Sequence, residues 1–527
     1  VKTWDTIIIG GGHNGLVCAA YLAKAGQDVL VLERRHVLGG AAVSEEIHPG
    51  FTYSVCSYVV SLLRPWIIRD LNLPKHGLEL IPLESSFTPL PDGRSLCRWP
   101  DSDRTRREIA EFSRHDAEVY PEFGQTMMQI ARFVKPLIDA PAPDPTSLKP
   151  QALSDFWKTG RRFNDLAPAH RHELSKMMTM SAADYLDGWF ESDVLKAPMA
   201  VSGIIGTFQG VRSPGTAYVL LHHYMGEIDG AFRSWGFAKG GTGSVSLSIA
   251  GAAQSFGAEI RTEASVDHVT LSGGKATGVV LENGDELRAR AVVSGTDPRR
   301  TFMGFVGEEN LPPEFVQGIK RYKFRGSSGK VNLAVDRLPV FSSRPNGHEH
   351  LRGDVAIAPS VEYLEKAYDE AKYGAFSRRP YLNVVIPSLV DPTVAPPGKH
   401  VVSCFVQYAP YDLAGGPSGW PAQREAFGDA VVDTLAEYAP GLKESILHRQ
   451  VLTPWDLEQE FGLTEGNIFH GELSLEQLAF QRPVAGWAQY RTPIKGLWQC
   501  GSGTHPGGGI MGASGALAAR TMLGGRG

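Results

Sequence analysis

The chain has 527 residues, 42% of them hydrophobic and 21% charged, which is ordinary usage for a folded protein and excludes disorder as the main state. At roughly 150 residues per domain the length predicts three or four units, or fewer large ones sharing a sheet. Lys and Arg number 52 against 57 Asp and Glu, a net charge of -5, so no basic excess marks a phosphate footprint and no nucleic-acid partner is expected.

The first predicted element is a short buried strand, Thr6 to Ile9. No basic stretch leads from the N-terminus into an apolar core, so no secretory signal is read. Gly10-Gly11-Gly12-His13-Asn14-Gly15 follows, then Leu16 to Ala23 with helical composition. Strand, G-x-G-x-x-G and helix together form a dinucleotide-binding turn. Gly10 permits the tight turn, Gly12 lets a pyrophosphate approach the backbone, and Gly15 lets helix and strand pack closely. His13 and Asn14 open the helix, where phosphates meet its positive end. A second apolar run, Asp28 to Leu32, ends in Glu33, placed to accept hydrogen bonds from ribose hydroxyls, with Arg34 beside it. NAD and FAD both remain open at this point.

Met127, Ile130, Ala131, Val134 and Ile138 follow helical spacing, and Pro141 to Pro150 is a Pro-rich loop. The apolar stretch Met199 to Phe208 is broken by Gly and Ser and falls short of the ~20 residues of a spanning helix. The protein is therefore expected to be soluble, or to sit on a membrane without crossing it. His222, His223 and Tyr224 lie on an apolar helix-like stretch, as core or tunnel lining; Trp235 and Phe237 are candidate pocket walls.

Glycine, 59 of 527 residues, is about 11% against a usual ~7%, and clusters twice more. Gly240-Gly241-Thr242-Gly243 leads into a helix, Ser244 to Ala253. Predicted strands follow at 258–261, 265–271, 276–281 and 286–293, with Gly273-Gly274 and Asn283-Gly284 as hairpin turns. Gly295 lies in the loop that closes this meander. Lys330 to Asp336, Tyr381 to Ile386 and Val401 to Gln407 read as further strands, and Gln423 to Tyr438 as a helix. His470, in Asn-Ile-Phe-His-Gly, is a pocket candidate. The last cluster runs from Gly501 to Ala516 after a strand, Gly496 to Cys500. Its seven glycines suit backbone N–H groups laid against a flat ring and its phosphates. Gly501, Ser502, Met511 and Gly512 are its predicted cofactor contacts. A helix near Met511 would aim its positive end at the ring, and His505 could face the same ring.

The five cysteines, Cys18, Cys56, Cys97, Cys404 and Cys500, form no close pair in sequence, which disfavours disulfides, zinc ribbons and a thiol relay. His348-Glu349-His350 and His170-Arg171-His172 lack a spaced third ligand, so no metal is expected.

The three clusters in this order resemble the phytoene desaturase-related FAD oxidoreductases of the amine oxidase superfamily, and Gly39-Gly40-Ala41-Ala42 after the acid resembles their extended fingerprint. Tyr58 to Pro65, Tyr218 to His223, Gly466 to Gly471 and Tyr490 to Pro493 extend the likeness over nearly the whole chain.

The resemblance implies an α/β protein with a Rossmann-like FAD-binding domain and an inserted α+β substrate domain. It implies a discontinuous flavin domain from 1–75, 235–305 and 490–527, with 76–234 and 306–489 as cap. It places Val266 against adenine and FAD in non-covalent form. The expected function is a dehydrogenase or oxidase taking hydride from an apolar or amphipathic small molecule, with His505, His470 and Trp235 as catalytic candidates. The sequence does not name the electron acceptor, and oxygen, a quinone and a protein stay open as the expected classes. A flavin amine oxidase is the alternative, although no lysine can be singled out to hold a water at the flavin; a flavin-holding assembly protein with little turnover is another. A mitochondrial location is implied in a eukaryote and a cytoplasmic one in a bacterium. No second nucleotide fold and no close Cys pair support pyridine nucleotide-disulfide chemistry.

Overall fold

The strand Thr3–Ile9 is the middle of a seven-stranded sheet in the computed structural model, which describes residues 2–228 and 230–524. The outermost ends of the two terminal stretches assigned to the flavin domain, 1 and 525–527, lie outside the described residues. Thr3–Ile9 pairs in parallel with Val29–Leu32 on one side and Glu286–Ser294 on the other. Ile7, Ile8 and Ile9 are buried on both faces, as an apolar run in a covered parallel sheet must be. Glu259–Arg261 closes one edge, and the meander Val266–Ser272, Lys275–Leu281, Glu286–Ser294 closes the other.

Glu286–Ser294 changes partner along its length. Its first residues pair with Lys275–Leu281, and Val292 to Ser294 pair in parallel with Leu497–Gln499. Three parallel strands therefore end side by side at Ile9, Ser294 and Gln499, and a glycine follows each end at Gly10, Gly295 and Gly501. The backbones are knitted there: Gly295 N–H donates to Ile9 O at 2.8 Å, and Cys500 N–H to Ser294 O at 2.8 Å. This carboxyl edge is where an open α/β sheet binds its ligand.

The helix His13–Lys24 lies between the helices Gly243–Ser255 and Ala513–Met522. Small residues make the close approach possible: a Cβ on Gly15 would stand 2.3 Å from Gly10 O, and one on Gly515 would stand 2.1 Å from Asn14 O. Leu16 and Leu22 are fully buried in this layer, where truncation to Ala costs about 2–5 kcal/mol. The helix Pro313–Arg321 covers the opposite face through Phe315, Val316 and Ile319, so packing on this sheet continues past 305 into the stretch assigned to the cap.

A second seven-stranded sheet runs in the order Ile446–Leu452, Ser328–Val335, His400–Gln407, Tyr381–Val385, Asp354–Ile357, Ser86–Pro89, Ser95–Arg98. Its last two strands come from the first insert, which is otherwise helical from Ser102–Ala110 to Thr216–Tyr224. One face buries Val331, Leu333, Val402, Cys404 and Val406 with Phe427 and Val431 of the helix Trp420–Tyr438. The other face presents Lys330, Asn332, Ser403 and Phe405, following the two-residue alternation of a strand, and Lys330 stands opposite Phe405 in the register.

Candidate functional site

A cavity of about 330 Å³ opens at the three strand ends. Its wall includes Gly10, Gly12, His13, Asn14, Gly15, Glu33, Arg34, Gly39, Gly40, Ala41, Val266, Gly295, His470 and Ser502. The residues fit a dinucleotide on three observations. A Cβ on Gly12 would meet no atom nearer than Gly39 O at 4.0 Å, so the cradle above that glycine is open. The helix His13–Lys24 begins with no side-chain cap, leaving its first N–H groups for an anion. Finally, Asn14 Oδ1 and His13 Nε2 are buried with no partner among the described residues, a cost that a bound ligand relieves.

Glu33 is buried at the end of its strand. Its Oε2 accepts from Gly11 N–H at 2.8 Å and its Oε1 from Arg35 N–H at 2.9 Å. Each carboxylate oxygen retains acceptor capacity toward the cavity. Arg34 lines the same wall while its guanidinium donates to Glu460 O at 2.7 Å.

A smaller cavity of about 120 Å³ adjoins the first. The two share His13, Ala41, Ile468 and Ser502, and His13 is the one titratable side chain in both walls among the described residues. Leu62, Ile205, Phe405, Phe469 and Ile510 make the smaller space apolar, and Ala42 and Trp235 also line it. Tyr58 and Phe405 stack at 5.5 Å with planes 22° apart, and Trp235 and Phe469 stand at 6.1 and 6.4 Å from His223 in the same lining. No Asp or Glu lines it among the described residues.

Its one cation is Lys330, which the sequence reading did not single out. Burial pushes the Lys330 amine down to about 7, yet Nζ donates to Ser54 O at 2.8 Å, Asn332 Oδ1 at 3.0 Å and Ser403 Oγ at 2.7 Å. Three protons meet three acceptors. The alternation of Lys330 and Asn332 with Val331 and Leu333 is the sequence signal that could have found it.

The catalytic candidates separate. Trp235 lines the smaller cavity and His470 the larger. His505 lines neither; Nε2 donates to Leu137 O at 3.0 Å, and its own carbonyl accepts from Tyr490 Oη and Ser514 Oγ. His223 lines the smaller cavity, whereas His222, Tyr224 and Phe237 pack outside both walls. Gly501, Met511 and Gly512 line neither cavity: a Cβ on Gly501 would lie 2.6 Å from Gly295 O, Met511 packs with Leu62 of the smaller cavity's wall, and Gly512 precedes the helix at 513. Burial keeps His13, His223 and His505 down at about 4 and His222 at about 3, so all four rings are neutral near pH 7.

Arg482, also missed, is fully buried and has no carboxylate partner among the described residues. Its guanidinium donates to the carbonyls of Phe469 (2.9 Å), Gly471, Glu472, Gln477 and Ser502 (2.8 Å). It thereby ties the Phe469 side of one cavity to the Ser502 side of the other.

All five cysteines are free and buried. The fold does bring Cys18 against Cys500, a contact the spacing could not show. Hydrogen bonding between them and burial push the Cys18 thiol well up, and neither residue lines either of these two cavities. Among the described residues there is no cluster able to hold a metal ion and no helix long and apolar enough to cross a membrane.

A family model for flavin containing amine oxidoreductases matches residues 15–523. A Rattus norvegicus protein, pyridine nucleotide-disulfide oxidoreductase domain-containing protein 2, is 43% identical over 99% of this chain and 93% of its own. Phytoene desaturase (lycopene-forming) of Pantoea ananas is 25% identical over 98% of each chain. The structure of cyclohexylamine oxidase from Brevibacterium oxydans shares the fold, with a TM-score of 0.57 and 17% identity over 99% of this chain and 98% of that one.

Proposed function

Because the chain belongs to the flavin-containing amine oxidoreductase family, we propose that this FAD-dependent oxidoreductase takes hydride from an apolar or amphipathic small molecule held in the smaller cavity. The observation that carries the reading is the composition of that cavity: aromatic and aliphatic walls, no carboxylate, and a shared boundary with the dinucleotide cavity. A protonated substrate amine would enter a space that already holds Lys330 and, among the described residues, no carboxylate to meet it. The phytoene desaturase relative is named for a substrate other than an amine.

In this reading Gly10, Gly12, His13, Asn14 and Gly15 hold the pyrophosphate, Glu33 the ribose and Val266 the adenine. When bound, FAD supplies the ring that accepts the hydride. The protein's own part is positioning: the Tyr58–Phe405 stack and the Trp235–His223–Phe469 wall confine the substrate and exclude water. His13, neutral and with Nε2 unpartnered, offers a hydrogen bond at the boundary between the two cavities.

Amine oxidation is the second reading, favoured by Lys330 in the wall together with the aromatic stack. The three acceptors around Nζ weigh against it, since an amine that donates to all three has no hydrogen left for a water. Anaerobic mixing separates the readings. Bleaching of the flavin by apolar alcohols or terpenoids, and not by primary amines, is the expected result; bleaching by amines alone would overturn it.

A further inference from the structure

The helix Pro150–Asp165 has no fully buried side chain among those described. It is held to the neighbouring helix Arg114–Ile138 through Phe163, whose ring meets Phe133 at 5.8 Å. Its outer side is unusual for a helix in water. Trp157 is 66% exposed, Leu153 lies one turn before it on the same side and is exposed, and Leu148, just ahead of the helix, is 84% exposed. Isolated exposed apolar residues need no explanation, but an exposed Trp and Leu on one side of a helix, with a third exposed apolar residue just ahead of it, do.

Charge says what covers them. The same segment carries Lys149, Lys158, Arg161 and Arg162 against the single carboxylate of Asp155 within 148–162, which stands 3.7 Å from Lys158, on a chain whose net charge is -5. Arg161 lies over the Trp157 ring at 5.8 Å. Protein interfaces are depleted in Lys, whereas a helix lying in a lipid headgroup region carries Trp and Leu on one face and Lys and Arg at its borders. We propose that residues 148–162 form a docking surface for an anionic phospholipid bilayer, with Leu148, Leu153 and Trp157 entering the headgroup layer and the four cations meeting lipid phosphates. The inference does not depend on which substrate the enzyme oxidises.

Flotation of the FAD-loaded protein with vesicles tests it. Vesicles of phosphatidylcholine containing phosphatidylglycerol should carry the protein upward, phosphatidylcholine alone should carry much less, and added salt should weaken the association. The paired substitution Leu153→Glu and Trp157→Glu should cut the bound fraction roughly tenfold or more, with flavin content and melting temperature unchanged because neither side chain is buried. The proposal is overturned if the native protein stays unbound with phosphatidylglycerol vesicles, or if the paired variant floats like the native chain. It is also overturned if the native protein is a dimer without lipid that the same substitutions split, since the patch is then a contact between copies.

Discussion

Asn14 donates from Nδ2 to Ser502 Oγ at 3.0 Å, a buried hydrogen bond that joins the first glycine cluster to the last across 488 residues. It follows from the parallel alignment of Thr3–Ile9, Glu286–Ser294 and Leu497–Gln499, which sets the two turns side by side. Ser502 O is in turn held by Arg482, so the helix start, the C-terminal loop and the Phe469 wall form one connected frame around both cavities.

Breaking that link should loosen the cofactor without unfolding the chain. A buried hydrogen bond contributes about 0.5–1.5 kcal/mol, so Asn14→Ala and Ser502→Ala should each weaken FAD by roughly tenfold or less. The double variant should be less damaging than the two added together, with a coupling of about 1 kcal/mol. Titration of the apoproteins with FAD measures this, and strict additivity would show that the bond does not matter to binding.

Glu33→Ala should have a larger effect on FAD, because a hydrogen bond to a charged group is worth about 1.5–3 kcal/mol, or roughly tenfold or more in Kd. It should also lower Tm, since the N–H groups of Gly11 and Arg35 lose their buried acceptor. An unchanged Kd would remove Glu33 from the cofactor's contacts.

How much of this was legible from sequence depends on the range of the interactions. Strand, glycine turn, helix and the acid of Glu33 are local patterns, and the structure places them as the spacing predicts; the same holds for the meander and for the strand at 328–335. What escaped depends on pairing between distant segments. Lys330 reads as an ordinary strand residue until His400–Gln407 sets Ser403 and Phe405 beside it. Cys18 meets Cys500 only because two helices and a strand end converge, and Ser86–Pro89 joins the second sheet through a parallel pairing with a strand beginning at Asp354. His505 sits in the right cluster by sequence, but its ring points to Leu137.

That orientation makes His505 a stability residue with a definite pH dependence. Burial holds its ring down at about 4, against about 6.5 in an unfolded chain, so the unfolded state takes up the proton first as pH falls. Its full contribution is present above about pH 6.5 and is lost toward pH 4, at about 1.4 kcal/mol per pH unit; His13, His222 and His223 act in the same sense. His505→Gln, which keeps a donor for Leu137 O, should flatten the dependence by about one proton and leave flavin reduction at its native rate. Urea unfolding at about pH 7 and about pH 5 checks the slope, and a reduction rate at least tenfold lower would give His505 a chemical role instead.

Thiol chemistry should be absent. Cys18 and Cys500 are fully buried and outside both cavity walls, and Cys56, the one cysteine in the smaller wall among the described residues, has its thiol pushed up to about 12 by burial and no second cysteine beside it in that wall, so dithiothreitol and glutathione disulfide should not be turned over. FAD should be released into the supernatant on acid precipitation, because Cys500 and His505, the nucleophilic side chains at the last glycine cluster, line neither cavity. A yellow pellet would contradict that placement, and rapid anaerobic reduction by NADPH would reveal a second nucleotide site.

The most direct test of the account is single-turnover flavin reduction in the native enzyme and in a variant whose smaller cavity is filled. Ile205→Trp adds bulk to the apolar wall away from the dinucleotide contacts. The account predicts that an apolar substrate bleaches the native flavin, and that the filled variant retains its FAD but is reduced at least about tenfold more slowly, since a misplaced C–H bond loses its orientation. Equal reduction rates in the two proteins, at equal flavin content, would contradict it.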